Sequence, residues 1–186
     1  MSQRNVKSIV FVFMLATILS SCSLFIKVFY GVRDPKVENE ASLNKYMNKK
    51  DIYSDNVYSL DFEDYQKTLE LIKKKVPEVL IFDTEGNYIP YGDEWACNAG
   101  AFSFIKDLND TTDYDTSDKT NLEELSSQLR NLKGEKVEII KENEDFYVFI
   151  FWAKFTGKLN KDHVKVWEDQ ANQNNSKIEV IKINMD

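Results

Sequence analysis

The chain's reactive side chains are few, and their spacing narrows the chemistry. It holds two cysteines, Cys22 and Cys97, and one histidine, His163. Cys97 lies in Asp93-Glu94-Trp95-Ala96-Cys97-Asn98, where two nearby carboxylates raise a thiol's pKa. A structural cysteine is therefore expected there, and a reactive monothiol is the competing reading. His163 follows Asp162 with no nucleophile suggested beside it, so a packed or surface histidine is expected. Asp113, Asp115, Ser117, Asn121 and Glu124 fall at positions one, three, five, nine and twelve of a calcium-loop template. Asp118 stands where that template requires glycine, so a polar loop and a helix cap are expected instead, and no metal. Gly157-Lys158 lacks the remaining glycines of a phosphate loop. Helix N-termini near Thr156 and Pro35 offer a weaker anion site, with Lys158 or Arg33 assisting.

Composition bounds these options. The 186 residues are 42% apolar, 13% aromatic and 30% charged, which belongs to a folded protein. The formal charge of −7 gives no basic field for nucleic acid, and none is expected as a partner. Two cysteines and one histidine exclude a disulfide framework, a Cys/His zinc site and a haem attachment motif. No cofactor is implied.

Arg4 and Lys7 precede an apolar run from Ile9 to Leu19. Eleven residues are too few to span a bilayer, which takes ~20. A short apolar run behind a basic start is a secretory signal segment. The run ends in Leu19-Ser20-Ser21-Cys22, which resembles the lipobox of bacterial lipoproteins. That resemblance implies a signal peptide over 1–21 and a mature chain that begins at an acylated Cys22. Without Arg4 and Lys7 the chain keeps 22 basic residues against 31 acidic ones, near −9. Attachment to a bacterial envelope membrane would then be driven by acyl chains, at ~0.8 kcal/mol per buried methylene. Cys97 would remain the only free thiol.

The elements that must position these residues alternate. Residues 25–30 read as a strand, 38–49 as a helix, 56–60 as a strand and 62–75 as an amphipathic helix. Lys73, Lys74 and Lys75 then complement the last turn of that helix. Residues 79–91 form a hairpin around Asp83-Thr84-Glu85-Gly86, and a helix follows near Ala99–Ile105. Residues 107–120 hold five aspartates and read as a linker or surface loop. Asn121 caps a helix carrying Leu122, Leu125, Leu129 and Leu132, ended by Gly134. Residues 137–141 read as a strand. Phe146–Ala153 is the most apolar segment after the signal and reads as a central strand buried on both faces. A helix over 159–173 and a strand over 178–183 close the chain. The alternation predicts an α/β fold around a largely parallel sheet.

Phe151-Trp152-Ala153 followed by Thr156-Gly157-Lys158-Leu159 resembles a thioredoxin. In that family a central strand ends in Phe-Trp-Ala and runs into Cys-Gly-Pro-Cys at the start of a long helix. Lys182-Ile183-Asn184-Met185-Asp186 is similar to the family's next strand. Val76-Pro77 precedes the first-half hairpin, where the family has its cis-proline. The resemblance implies a thioredoxin-like module over 22–110 (core about 24–108), an acidic linker at 111–119 and a partial second module over 120–186. A single elaborated sheet is the other arrangement. Both strand-to-helix junctions, at Gly31–Lys36 and at Thr156–Leu159, lack the cysteine pair that dithiol exchange requires. The expected function is therefore a lipid-anchored, non-redox scaffold that binds a protein or peptide partner of the envelope. A thiol-dependent oxidoreductase acting through Cys97 is the alternative.

Overall fold

The computed structural model describes residues 29–92, 98–137, 139 and 144–186. Its framework is one seven-stranded mixed sheet with helices on both faces. In chain order the elements are α1 (Glu40–Lys50), β1 (Val57–Leu60), α2 (Phe62–Leu71), β2 (Glu78–Asp83), β3 (Asn87–Ile89) and α3 (Gly100–Asp107). Then come β4 (Ser117–Asn121), α4 (Leu122–Ser127), β5 (Leu129–Arg130), β6 (Phe146–Trp152), α5 (Lys165–Gln173) and β7 (Ile178–Asn184). The sheet order is β4-β3-β2-β6-β7-β1-β5. β6 and β7 from the second half lie between β2 and β1 from the first, so both halves share one sheet.

β6 is the centre because every one of its seven residues is buried. Side chains alternate along a strand, so this segment serves two cores at once. Phe146, Val148, Ile150 and Trp152 face Leu43 and Met47 of α1, Ala101 and Ile105 of α3, and Trp167 and Ala171 of α5. Tyr147, Phe149 and Phe151 face Ile72, Leu122, Leu125 and Leu129 across the opposite layer. Each fully buried large apolar side chain contributes about 1.5–3 kcal/mol, so this strand is the largest single apolar investment in the fold.

The sheet is less parallel than the alternation predicts. β6 runs parallel to β7, and β7 to β1. The pairings β2·β6, β2·β3, β3·β4 and β1·β5 are antiparallel. The reason is local for β2 and β3: a three-residue connection can only reverse the chain. Gly86, at φ 92, and the Asp83 carboxylate, which accepts from Asn87 N–H at 2.8 Å, close that turn.

Most helix boundaries follow their caps. Asn39 accepts from Ser42 N–H at 2.9 Å to open α1, and Asp61 from Asp64 N–H at 3.1 Å to open α2. Three expectations are corrected. Phe29 and Tyr30, the described part of the expected strand 25–30, are helical; β-rich residues carry little strand preference without a partner to pair with. α2 stops at Leu71, and Lys73 and Lys74 adopt left-handed φ of 52° and 58°, so the lysine triplet sits beyond the helix. The helix capped by Asn121 ends at Ser127, because Leu129 and Arg130 pair with Leu60 and Ser59. Of the expected strand 137–141, residues 138, 140 and 141 lie outside the described set.

Candidate functional site

The C-terminal ends of the parallel strands β6 and β7 gather the most interesting side chains. Beyond Trp152 the chain enters a single 3-10 turn at Lys154–Thr156, passes Gly157, and then winds through a wide π-helical turn at Asn160–Val164 into α5. The Asp186 carboxylate, just past β7, accepts from Lys154 N–H at 2.5 Å and from Phe155 N–H at 3.3 Å. Burial pushes the Asp186 carboxyl upward from its ordinary pKa.

Two strands of interaction bind this junction to segment 30–33. Lys158 N–H donates to Tyr30 O at 2.7 Å, and Arg33 N–H donates to Phe155 O at 2.8 Å. Gly157 permits the approach. Its φ is 66°, and a Cβ there would stand 2.3 Å from Tyr30 O and 2.6 Å from Gly31 O. α1 reaches in from the side. Tyr46 stacks on Trp152 with centroids 6.1 Å apart. Its hydroxyl donates to Gly157 O at 2.8 Å and accepts from Asn160 Nδ2 at 2.8 Å. Asn160 Nδ2 also donates to Ala153 O, and its Oδ1 meets the Thr156 hydroxyl at 2.8 Å. Burial raises the Tyr46 phenol above its usual pKa.

Around this rigid floor lies a cleft of about 540 Å³ lined by Tyr30, Gly31, Tyr46 and Gly157, by Ser42, and by six cations: Arg33, Lys45, Lys49, Lys50, Lys154 and Lys158. No carboxylate lines it. The Lys154 ammonium is held by Glu38 at 2.8 Å and by Ser42 Oγ at 2.6 Å. That bond from Lys154, aided by Ser42, lowers the Glu38 pKa to about 2. Lys50 sits 5.9 Å from the Tyr46 ring centre, and Lys158 lies 5.1 Å from that of Phe29. Arg33, Lys45 and Lys49 form no ion pair among the described residues.

The sequence-derived candidates distribute unevenly over this site. Of the four predicted positions Gly157 and Lys158 line the cleft, Thr156 is buried beneath them and Leu159 leads into the π-helical turn; no sulfur belongs to that stretch. The Val76–Pro77 peptide is cis. Glu78 pairs with Phe151, so Pro77 shares the sheet end from which the junction leaves. Pro77 O accepts from Asn98 Nδ2 at 2.7 Å. Cys97, the residue before Asn98, lies outside the described residues, as do Cys22 and the whole of 1–21.

His163 packs against Phe102 and Trp167, and its Nδ1 lies 3.2 Å from Leu159 O. The calcium template is pulled apart: Ser117–Asn121 is strand β4, and Asn121 Oδ1 accepts from Glu124 N–H at 2.8 Å. Among the described residues no group of three His, Cys, Asp or Glu side chains stands together to hold a metal ion. Nor is any described helix long and apolar enough to cross a membrane.

Sequence reasoning reached Arg33 and Lys158 but not Lys45, Lys49, Lys50 or Lys154. Lys45 and Lys49 are four residues apart on α1, a like-charge pair that costs about 0.2–0.5 kcal/mol on a helix. That unrelieved repulsion was the available signal. Comparison with family models, with curated proteins and with solved structures finds no match for the chain.

Proposed function

We propose that the chain is a lipid-anchored cell-envelope protein whose thioredoxin-like scaffold carries no dithiol chemistry and binds a partner at the β6–α5 junction. The segments that carry the resemblance are neighbours in space. The Phe-Trp-Ala strand β6 pairs with the following strand β7 on one side and with the proline hairpin β2–β3 on the other. The hairpin precedes β6 in the chain, so this reading has the two halves contribute complementary parts of a single permuted module. The anchor follows from Leu19-Ser20-Ser21-Cys22 alone.

One observation carries the functional part. Where a thioredoxin has its cysteine pair, this chain has Thr156-Gly157-Lys158-Leu159, whose polar atoms hold the turn together while cations surround it. A site so built can bind and orient; it has no thiolate to attack a disulfide and no second thiol to resolve one. Open α/β sheets commonly take ligands outside the carboxyl ends of their strands, and this junction leaves the carboxyl end of β6.

The test is photo-crosslinking in the native envelope. A photoreactive residue at position 158 should give a defined adduct that the same residue at position 106, on α3, does not. The Cys97→Ser variant should keep the adduct, and Cys22→Ala should lose both acylation and membrane retention. Equal labelling from 158 and 106, or turnover of insulin disulfides by the purified chain, would overturn the reading.

A further inference from the structure

We infer that the cleft over Gly157 is a binding site for a phosphate group, borne by an anionic lipid or by a small soluble phosphate. This deepens the reading of the junction as a binding surface and rests on it.

The argument begins with charge. The chain has 24 basic residues against 31 acidic ones, yet six of the basic ones line this single cleft. Its lining holds no acidic residue, and of the six only Lys154 is ion-paired among the described residues, to Glu38 behind the wall. Arg33, Lys45 and Lys49 have no carboxylate partner among the described residues. Single exposed lysines without one also occur elsewhere among the described residues, at Lys106, Lys133, Lys161 and Lys177, so it is convergence that marks this cleft. Lys45 and Lys49 face the same side of α1 and repel one another. A multiply charged anion between them would turn that cost into attraction.

Geometry narrows the anion. About 540 Å³ suits a small molecule or a headgroup. Cations reach the space from three places: α1 supplies Lys45, Lys49 and Lys50, segment 30–33 supplies Arg33, and the β6–α5 junction supplies Lys154 and Lys158. Convergence from several sides fits a compact polyanion. Lysine serves as a point charge for phosphate, and the arginine fork can take two of its oxygens. Recessed walls of low dielectric focus the positive potential inward. The floor is preorganised, because the Gly157 carbonyl and the Tyr46 hydroxyl already satisfy each other. Ligand binding therefore need not break the bonds of the floor, and Lys154 can keep its Glu38 partner while the other five cations meet the anion.

Two sources of phosphate are within reach. Tyr30 follows Cys22 by eight positions, a span of at most about 29 Å. If Cys22 carries acyl chains, the cleft stays close to the headgroups of the same membrane. A soluble phosphate ester would meet the same cations.

The experiment uses the full chain, the cleft variant K45E/K49E and the control K106E/K133E, which changes net charge equally outside the cleft. Pyrophosphate is titrated against chloride of matched ionic strength, with melting temperature and calorimetry as readouts. The same three proteins are reconstituted into phosphatidylcholine vesicles with and without phosphatidylglycerol, and protection of Lys50 and Lys158 from acetylation is read by mass spectrometry. All three share one N-terminus, so a difference between them reads the cleft.

The expected result is that the cleft variant binds pyrophosphate at least about tenfold more weakly than wild type and control. Protection by phosphatidylglycerol, again lost only in the cleft variant, would instead assign the phosphate to a lipid. Either result supports the inference and names the source. Identical responses of all three proteins in both arms overturn it. If the crosslink from position 158 persists in that case, the partner-binding reading stands without phosphate; if it too is absent, both fall.

Discussion

Lys182 of β7 and Glu168 of α5 form an ion pair sealed between sheet and helix, with side chains only 1% and 2% exposed. Glu168 also accepts from Tyr53 N–H at 3.3 Å, so the pair ties the chain before β1 to both elements. Lys182 lies on the sheet face that Val180 shares with the α5 core, where an apolar residue would be the default. Burying two charges is expensive, and their mutual attraction repays it only while both are present. Lys182→Met should therefore cost about 3–5 kcal/mol in urea unfolding, by leaving an uncompensated carboxylate. Lys182→Met combined with Glu168→Gln should recover much of that loss, because the amide oxygen still serves Tyr53 N–H.

The same pair gives a pH signature. Burial raises the Glu168 pKa, and Lys182 opposes the rise. Removing the lysine leaves burial unopposed, so the folded carboxyl holds its proton at higher pH than the unfolded one. A raised acid pKa contributes stability at low pH that is lost as pH climbs through the folded value. The penalty of Lys182→Met should thus be smaller at about pH 5 than at about pH 8. A pH-independent penalty would mean that packing, not charge, dominates the site.

Glu38 has the opposite sign. Its bond from Lys154 and its bond from Ser42 lower its pKa from 4.5 to about 2. A depressed carboxyl contributes stability above its unfolded pKa, which is lost as pH falls through the folded one. Wild type should lose stability between pH 4.5 and about 2 through this group. Glu38→Gln should flatten that part of the acid limb, and Lys154→Met should flatten it similarly. Thermal melts across that range check both variants.

How much of this was legible in sequence depends on whether the signal was local. β6 was, because Phe-Tyr-Val-Phe-Ile-Phe-Trp admits no solvent face and is buried throughout. The caps at Asn121 and the turn at Gly86 were also local and hold. Leu129 misled, since a leucine seven residues after Leu122 fits a helix face as well as it fits an edge strand; only its pairing with Leu60 decides. The basic cleft was hidden for the same reason. Lys45 and Lys49 point to no site until α1 is laid beside Lys154 and Arg33, more than a hundred and about a dozen residues away in the chain.

Tyr46 is the hinge of that juxtaposition. Tyr46→Phe keeps the stack on Trp152 but removes the donor to Gly157 O and the acceptor for Asn160 Nδ2. Each lost bond should cost about 0.5–1.5 kcal/mol, with Asn160 the more exacting because it is wholly buried. Tyr46→Ala should cost more and shift Trp152 fluorescence, whereas Tyr46→Phe should leave the emission near wild type. A phenylalanine variant as stable as wild type would mean that the hydroxyl only fills space.

Gly157→Ala tests the whole junction with one methyl group. At φ 66° and ψ −118° the backbone lies in a sparsely populated region that glycine alone enters readily, so an alanine there is penalised by about 1–3 kcal/mol before any contact is considered. The added Cβ would also stand 2.3 Å from Tyr30 O and 2.8 Å from the Gly31 carbonyl carbon, both backbone atoms that cannot rotate away. Relief requires segment 30–33 to withdraw, breaking the bonds Lys158 N–H to Tyr30 O and Arg33 N–H to Phe155 O. The sheet has no stake in those bonds, since β6 and β7 are paired along their full length by other groups. The variant should therefore melt only modestly lower while trypsin cleavage after Arg33 accelerates several-fold. Because withdrawal also carries Arg33 out of the cleft, pyrophosphate binding should weaken together with the protease resistance. Faster cleavage with anion binding intact would separate the docked segment from the ligand site and leave the lysines of α1 and of the junction as its determinants.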